Sequence, residues 1–206
     1  NLGLALDLEL LPWLNTYTFP DETKYADPEY AGRLYRRFVH ELWMQGTMRS
    51  AVFGTIHPES TRILADLFIQ AGMGAYVGIV GMNRNAPETL RNTTDELMDG
   101  IRMLKAHLDE HGNGLVRSSI APRFVPSCSD KMLTALGEYA RETGLPVQSH
   151  LSENRSEIDW VKELEPEATC YGDAYNKYGL FGQTPTLMAH CCYTDGEEME
   201  LMKPNG

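Results

Sequence analysis

Basic residues are scarce in this chain. Its 18 lysines and arginines stand against 29 acidic residues, a formal net charge of -11. The cations are scattered, with Arg36-Arg37 the nearest approach to a cluster. Binding phosphates needs clustered cations, so a nucleic-acid partner is excluded. Cysteine is also sparse: Cys128, Cys170, Cys191 and Cys192 contain no Cys-x-x-Cys spacing. A reducing compartment is the default for such usage, and the cytoplasm is expected. No apolar run is long enough to span a bilayer, and no basic and apolar leader stands at the start. Repeats, low-complexity tracts and a linker between two domains are missing too. What is left is 206 residues at 42% hydrophobic, enough for one substantial domain or, since the chain opens on Asn1 rather than methionine, for a piece of a larger one. A neutral or weakly charged small molecule is the natural ligand for that balance of charge.

Helix-period and strand-like segments alternate along the chain. Asp27-Pro28 reads as an N-cap and first-turn proline, followed by the stripe Ala31, Leu34, Tyr35, Phe38 and Leu42, with Gly46 closing the helix. Residues 48–56 predict a strand ending at His57-Pro58, and Ser60 is expected to cap the next helix, which buries Ile63, Leu64, Leu67, Phe68 and Ala71. Residues 75–80 predict a second strand. Thr93-x-x-Glu96 is a capping box in front of Leu97, Ile101, Leu104 and Leu108. Residues 115–121 predict a third strand, and Ser129 opens a helix that runs to Gly144. Two further strands follow, one from Val147 through His150 and one over residues 186–190, separated by helical material with Ile158, Val161 and Leu164. Residues 197–203 begin another helix. Five strands alternating with helices, at intervals of about 25 to 40 residues, predict βαβ units and a parallel α/β sheet. Periodicity leaves a doubly wound sheet and a (β/α)8 barrel both open, and five units are too few to close a barrel of eight.

The polar residues gather at one place in that pattern. His57, Arg123, His150 with Glu153, and His190 all lie at or just past the C-terminal end of a predicted strand, the edge where parallel α/β sheets bind ligands. One such residue is most simply a loop or cap partner; four on one edge are a site. Two strands that each end in histidine suggest zinc or iron held at the rim. Glu153 stands three residues beyond His150, placed to move a proton rather than to bind the metal. His57 is a candidate third ligand, against the simpler reading of a hydrogen-bonded rim residue. The segment His107-Leu108-Asp109-Glu110-His111 matches an inverzincin pattern formally, but it ends a polar helix and reads as a decoy. Cys128 reads as a packed small side chain more readily than as a nucleophile. Zinc deaminases built on Pro-Cys-x-x-Cys are excluded by the spacing.

Trp13-Leu14 with Tyr17-Thr18-Phe19-Pro20, Thr55-Ile56-His57, Pro122-Arg123-Phe124 with Ser127-Cys128-Ser129, Gln148-Ser149-His150-Leu151-Ser152-Glu153-Asn154 and Met188-Ala189-His190 together resemble, in order, the guanine deaminase family of the amidohydrolase superfamily. The resemblance implies a metal-dependent (β/α)8 TIM-type barrel, of which residues 1–206 form a partial domain covering roughly the second to sixth βα units. It implies His150 and His190 as ligands of zinc (iron being possible), Glu153 as the proton shuttle, and Arg123 and Phe124 as the residues that hold and stack on a purine. The family's His-x-His pair on the first strand and its aspartate on the eighth are expected to lie outside the chain. The implied reaction is hydrolysis of guanine to xanthine and ammonia, by a protein expected to be a homodimer at full length. Another purine or a triazine is the alternative substrate, and a catalytically inactive scaffold the alternative role. Two departures stand near the site: Met48-Arg49 where the family tends to have threonines, and Cys191 where a glycine usually follows the histidine.

Overall fold

The computed structural model describes residue 4 and residues 7–205. Its centre is a five-stranded sheet of β1 (Arg49–Phe53), β2 (Gly74–Gly81), β3 (Val116–Pro122), β4 (Val147–Leu151) and β5 (Thr186–His190). The strands are all parallel and lie in the order of the sequence. A doubly wound sheet reverses its order at a switch point; this one never does. The sheet also curls. Neighbouring strands sit about 4.8 Å apart, so a flat sheet would put β1 and β4 about 14 Å from each other. Instead Gln148 of β4 donates to the Val52 carbonyl of β1 at 3.0 Å and to Ser119 Oγ of β3 at 2.8 Å. Strands three places apart can share one side chain only across the interior of a barrel, so these are consecutive units of a (β/α)8-type barrel. Gly78 keeps that interior passable: a Cβ there would stand 2.5 Å from Ala121 Cβ and 3.0 Å from Gln148 Nε2.

Helices α3 (Pro28–Met44), α4 (Pro58–Gln70), α5 (Thr94–His111), α6 (Asp130–Thr143) and α7 (Arg155–Leu164) cover the outer face. Their starts follow local chemistry. Asp27 accepts from the Glu29 amide, Thr93 and Glu96 form the reciprocal capping box, and Ser129 accepts from the Met132 amide. Gly144 ends α6 in the left-handed region at φ 68°, as glycine does cheaply. Ser60 does not cap: His57 is the N-cap of α4, and Ser60 donates from inside the helix to the Tyr25 carbonyl at 2.6 Å. The core between sheet and helices runs through Leu64, Phe68, Val77, Ile79, Ile101, Ile120, Met132 and Leu136, all fully buried. Each such side chain contributes about 1.5–3 kcal/mol of transfer free energy.

Three further parts carry the site. Residues 10–26 form a continuous helical passage, α-helical over α1 (Leu10–Trp13), π over Leu14–Thr18, α again over α2 (Phe19–Glu22), then 3-10 over Thr23–Ala26. A short α8 (Tyr171–Asn176) and α9 (Gly196–Asn205) flank the end of β5. Among the described residues no helix is long and apolar enough to cross a membrane.

Candidate active site

The C-terminal ends of the strands open into a cavity of about 550 Å³, within the range that holds small ligands. Arg123, Phe124, His150, Glu153 and His190 all line it, with Trp13, Leu14 and Glu22 reaching over from the helical passage.

His150 is the most constrained of these. Its Nδ1 lies 2.7 Å from the Arg123 carbonyl, so Nδ1 carries the proton and Nε2 keeps a lone pair. Its ring lies against Phe53 of β1, 4.6 Å between centroids. Burial, aided by the nearby Arg123 charge, pushes the imidazole down to about 4, so it is neutral at physiological pH. A neutral ring whose other nitrogen is oriented by a carbonyl is what a metal-ligating histidine requires.

His190 faces it, ring centroids 5.4 Å apart and planes 17° from parallel. The register does not explain this. In β4 and β5 the paired residues are His150 with Ala189 and Leu151 with His190, so regular strands would put the two histidines on opposite faces. His190 instead adopts φ 77°, and Cys191 after it φ 52°. These left-handed positions are costly for side chains other than glycine's, and here they turn the imidazole into the cavity.

Glu153 approaches His190 Nε2 to 3.4 Å. The loop that carries it is tied from below. Its amide donates to Glu157 Oε2 at 3.2 Å, and the other oxygen of Glu157 accepts from Tyr171 at 2.7 Å. Burial pushes the Glu157 carboxyl up, and the nearby Glu153 charge adds to this. Ser152, at φ 48°, donates to both oxygens of buried Glu198, which also accepts from the Gly172 amide. Helices α7, α8 and α9 therefore converge on the two residues that follow Leu151.

Arg123 extends from the end of β3 and gives Nη1 to Glu22 Oε2 at 2.8 Å. Phe124 is buried and meets Trp160 edge-on, 6.0 Å between centroids, so its ring is fixed as a wall.

The other sequence candidates stand outside this cavity. His57 does not line the cavity; burial pushes its pKa down, and its Nε2 has no hydrogen-bond partner among the described residues. His107 contacts Asp66 at 2.6 Å and so ties α5 to α4. Cys128 is fully buried, its thiol directed at the Gly81 carbonyl and pushed up to about 12 by burial, which leaves it unreactive. Among the described residues no group of three or more His, Cys, Asp or Glu side chains is gathered for an ion; His150 and His190 offer two donors. Sequence reading did not single out Glu22 or Glu157, which have no strand-end position or motif to mark them, nor Phe53, an apolar residue at the end of β1.

A curled parallel sheet with two histidines, a glutamate and an arginine at the C-terminal rim is an α/β barrel with a candidate ligand site at its strand ends. The chain belongs to the Amidohydrolase family, whose profile matches residues 2–206. It is 37% identical to the guanine deaminase of Dictyostelium discoideum over 98% of its own length and 45% of that protein's. To the guanine deaminase of Escherichia coli it is 37% identical, over 94% and 44%. The guanine deaminase from C. acetobutylicum with bound guanine in its active site superposes with a TM-score of 0.95 at 44% identity, covering 98% of this chain and 48% of that one. The atrazine chlorohydrolase of Arthrobacter aurescens complexed with zinc shares the fold, with a TM-score of 0.82 at 14% identity. The chain thus spans less than half the length of these relatives.

Proposed function

We propose that this chain carries the substrate-binding and proton-transfer part of a guanine deaminase, which converts guanine and water to xanthine and ammonia. The observation behind this is the convergence of Arg123, Phe124, His150, Glu153 and His190 on one cavity. His150 and His190 would hold the metal, zinc or iron, with further donors from barrel strands outside residues 1–206. The donor set fits such an ion: His150 is neutral with its Nε2 lone pair available, and imidazole suits both metals. When bound, the ion supplies water that is nucleophilic near neutral pH.

The protein's own work is positional and acid–base. Glu153 accepts the proton released as water adds to the carbon bearing the exocyclic amine. It delivers that proton to the adjacent ring nitrogen, then takes the second proton from the added hydroxyl and gives it to the departing amine, which leaves as ammonia as the new carbonyl forms. Its place beside His190 supports this role for the carboxylate. Arg123 donates to the purine carbonyl, where a planar fork serves better than a lysine, and the fixed Phe124 ring offers a face to the base. Cytoplasmic location, which rests on the sparse cysteine usage, and a homodimer, which rests on the family resemblance, are part of the same reading.

The test is metal analysis of the full-length protein together with an ultraviolet assay of guanine conversion to xanthine, with 8-oxoguanine and a triazine as competing substrates. Stoichiometric metal and preference for guanine are expected. A metal-loaded protein that leaves guanine unchanged would overturn the reading.

A further inference from the structure

The substrate arginine does not stand alone. Arg123 comes from the end of β3, and α2, a hundred residues earlier in the chain, brings two side chains to it. Glu22 takes one of its N–H groups at 2.8 Å, across a sequence separation of 101. Phe19, one turn earlier on the same helix, lies under the guanidinium with its ring centroid 6.0 Å from Cζ. Residues three apart share a helix face, so one helical turn grips the group from its edge and from its plane. The ion pair is sheltered: the side chains of Arg123 and Glu22 are only 14% and 10% exposed.

Stability alone is a poor reason for this arrangement. A sheltered ion pair gains little over a well-packed apolar pair, because both charges lose their hydration. This one is also incompletely satisfied, since Glu22 Oε1 is buried without a hydrogen-bond partner among the described residues. Such a cost is retained where a charge must be held in a set direction. The bond to Glu22 engages one of the five guanidinium N–H groups. Fixing that edge, with Phe19 fixing the plane, leaves the rest of a rigid fork at the cavity that Glu22 and Arg123 both line.

We propose that Glu22 is a positioning residue, which with Phe19 holds Arg123 so that its guanidinium meets the carbonyl oxygen of the bound purine. The inference rests on the guanine deaminase reading and extends it. Glu22 acts through the arginine, so its effect is confined to substrates that carry the carbonyl and disappears once the arginine is gone.

The experiment is a double-mutant cycle in the full-length, metal-loaded protein with Glu22→Ala, Glu22→Gln and Arg123→Ala. Guanine is compared with 2-aminopurine, which lacks the 6-carbonyl. Xanthine binding to the metal-free protein, followed by calorimetry, adds a readout independent of turnover. Glu22→Ala is expected to lower kcat/KM for guanine at least about tenfold, mainly through KM, and to weaken xanthine by a similar factor. Glu22→Gln keeps an acceptor for the guanidinium and should stay within about threefold of the wild type. In the Arg123→Ala background, Glu22→Ala should add less than about twofold.

A variant that fails to fold loses 2-aminopurine turnover along with guanine, and a lowered melting temperature exposes it; Glu22→Gln then carries the comparison. Independent losses that multiply in the double variant would overturn the proposal. So would equal losses for both substrates in a folded variant. A wild-type protein that turns over guanine while Glu22→Ala does so equally well refutes only the positioning role. A wild type inert towards guanine refutes the functional reading beneath it.

Discussion

The imidazoles of His150 and His190 stack at 5.4 Å although strand register places their Cα positions one step out of phase. The left-handed backbone at His190 makes up the difference. Strain of about 1–3 kcal/mol at such a residue persists where the surroundings enforce it. Here the Cys191 amide donates to the Leu151 carbonyl at 2.8 Å and the Tyr193 amide to the Ser152 carbonyl at 2.9 Å, so β4 holds the turn in place. If the stacked rings share one ion, His150→Ala and His190→Ala should each strip most of the metal from the full-length protein. Elemental analysis after gel filtration reads this out. Unchanged metal content in both variants would remove the pair from the metal site.

Glu153→Gln separates proton transfer from binding. The amide keeps the size of the side chain and cannot carry the proton. Metal content should be unchanged, while kcat falls at least about 100-fold. A near-normal rate would take the shuttle role away from Glu153. Glu157→Gln tests the support beneath it. Only one of the two acceptors that now serve the Glu153 amide and Tyr171 survives that change, so kcat should fall by a smaller factor with metal retained.

The alternation of strands and helices was legible because its punctuation is local. Asp27-Pro28, Thr93-x-x-Glu96 and Ser129 begin helices through bonds to amides two or three residues away. Arg123 stands just past the end of β3, His150 one residue before the end of β4 and His190 at the end of β5. Ser60 misled because proline at the first helical position lets α4 start three residues earlier, with His57 as its cap. The passage over residues 10–26 has no legible period, since its α, π and 3-10 turns follow one another within a few residues. The same irregularity hid Glu22, whose partner is 101 residues away. Glu157 looks from the sequence like one more solvated helical acid, and only the fold shows it buried beneath Glu153. Sheet closure was beyond periodicity, because it is revealed by Gln148 reaching Val52 across the interior.

Cys191 occupies a conformation, φ 52°, that suits the glycine found there in the resembling family. Cys191→Gly keeps the amide bond to Leu151, and relief of the left-handed penalty of about 1–2 kcal/mol is offset by glycine's extra chain entropy and lost packing. Its stability should stay within about 0.5 kcal/mol of the wild type. Cys191→Val places a branched Cβ in the same strained backbone and should cost about 1–2 kcal/mol more than the glycine. Thermal denaturation of the two variants side by side tests the backbone argument, which fails if valine is as stable as glycine.

Strands β1 and β5 end the sheet order, and their burial differs from that of the inner strands. None of the residues of β1 or β5 is fully buried, whereas β3 and β4 are buried at nearly every position. Leu187 on β5 is 47% exposed and Met48, beside β1, 44% exposed. An open parallel edge offers unpaired amides and carbonyls to any chain that can add a strand. Residues 1–206 expressed alone should therefore self-associate, with an apparent mass in gel filtration and light scattering that rises with concentration. Leu187→Lys places a charge on that exposed face and should reduce the association without unfolding the core, as charges on edge strands do. A monomer that melts cooperatively at high concentration would show that these edges are already protected, and the lysine would then change nothing.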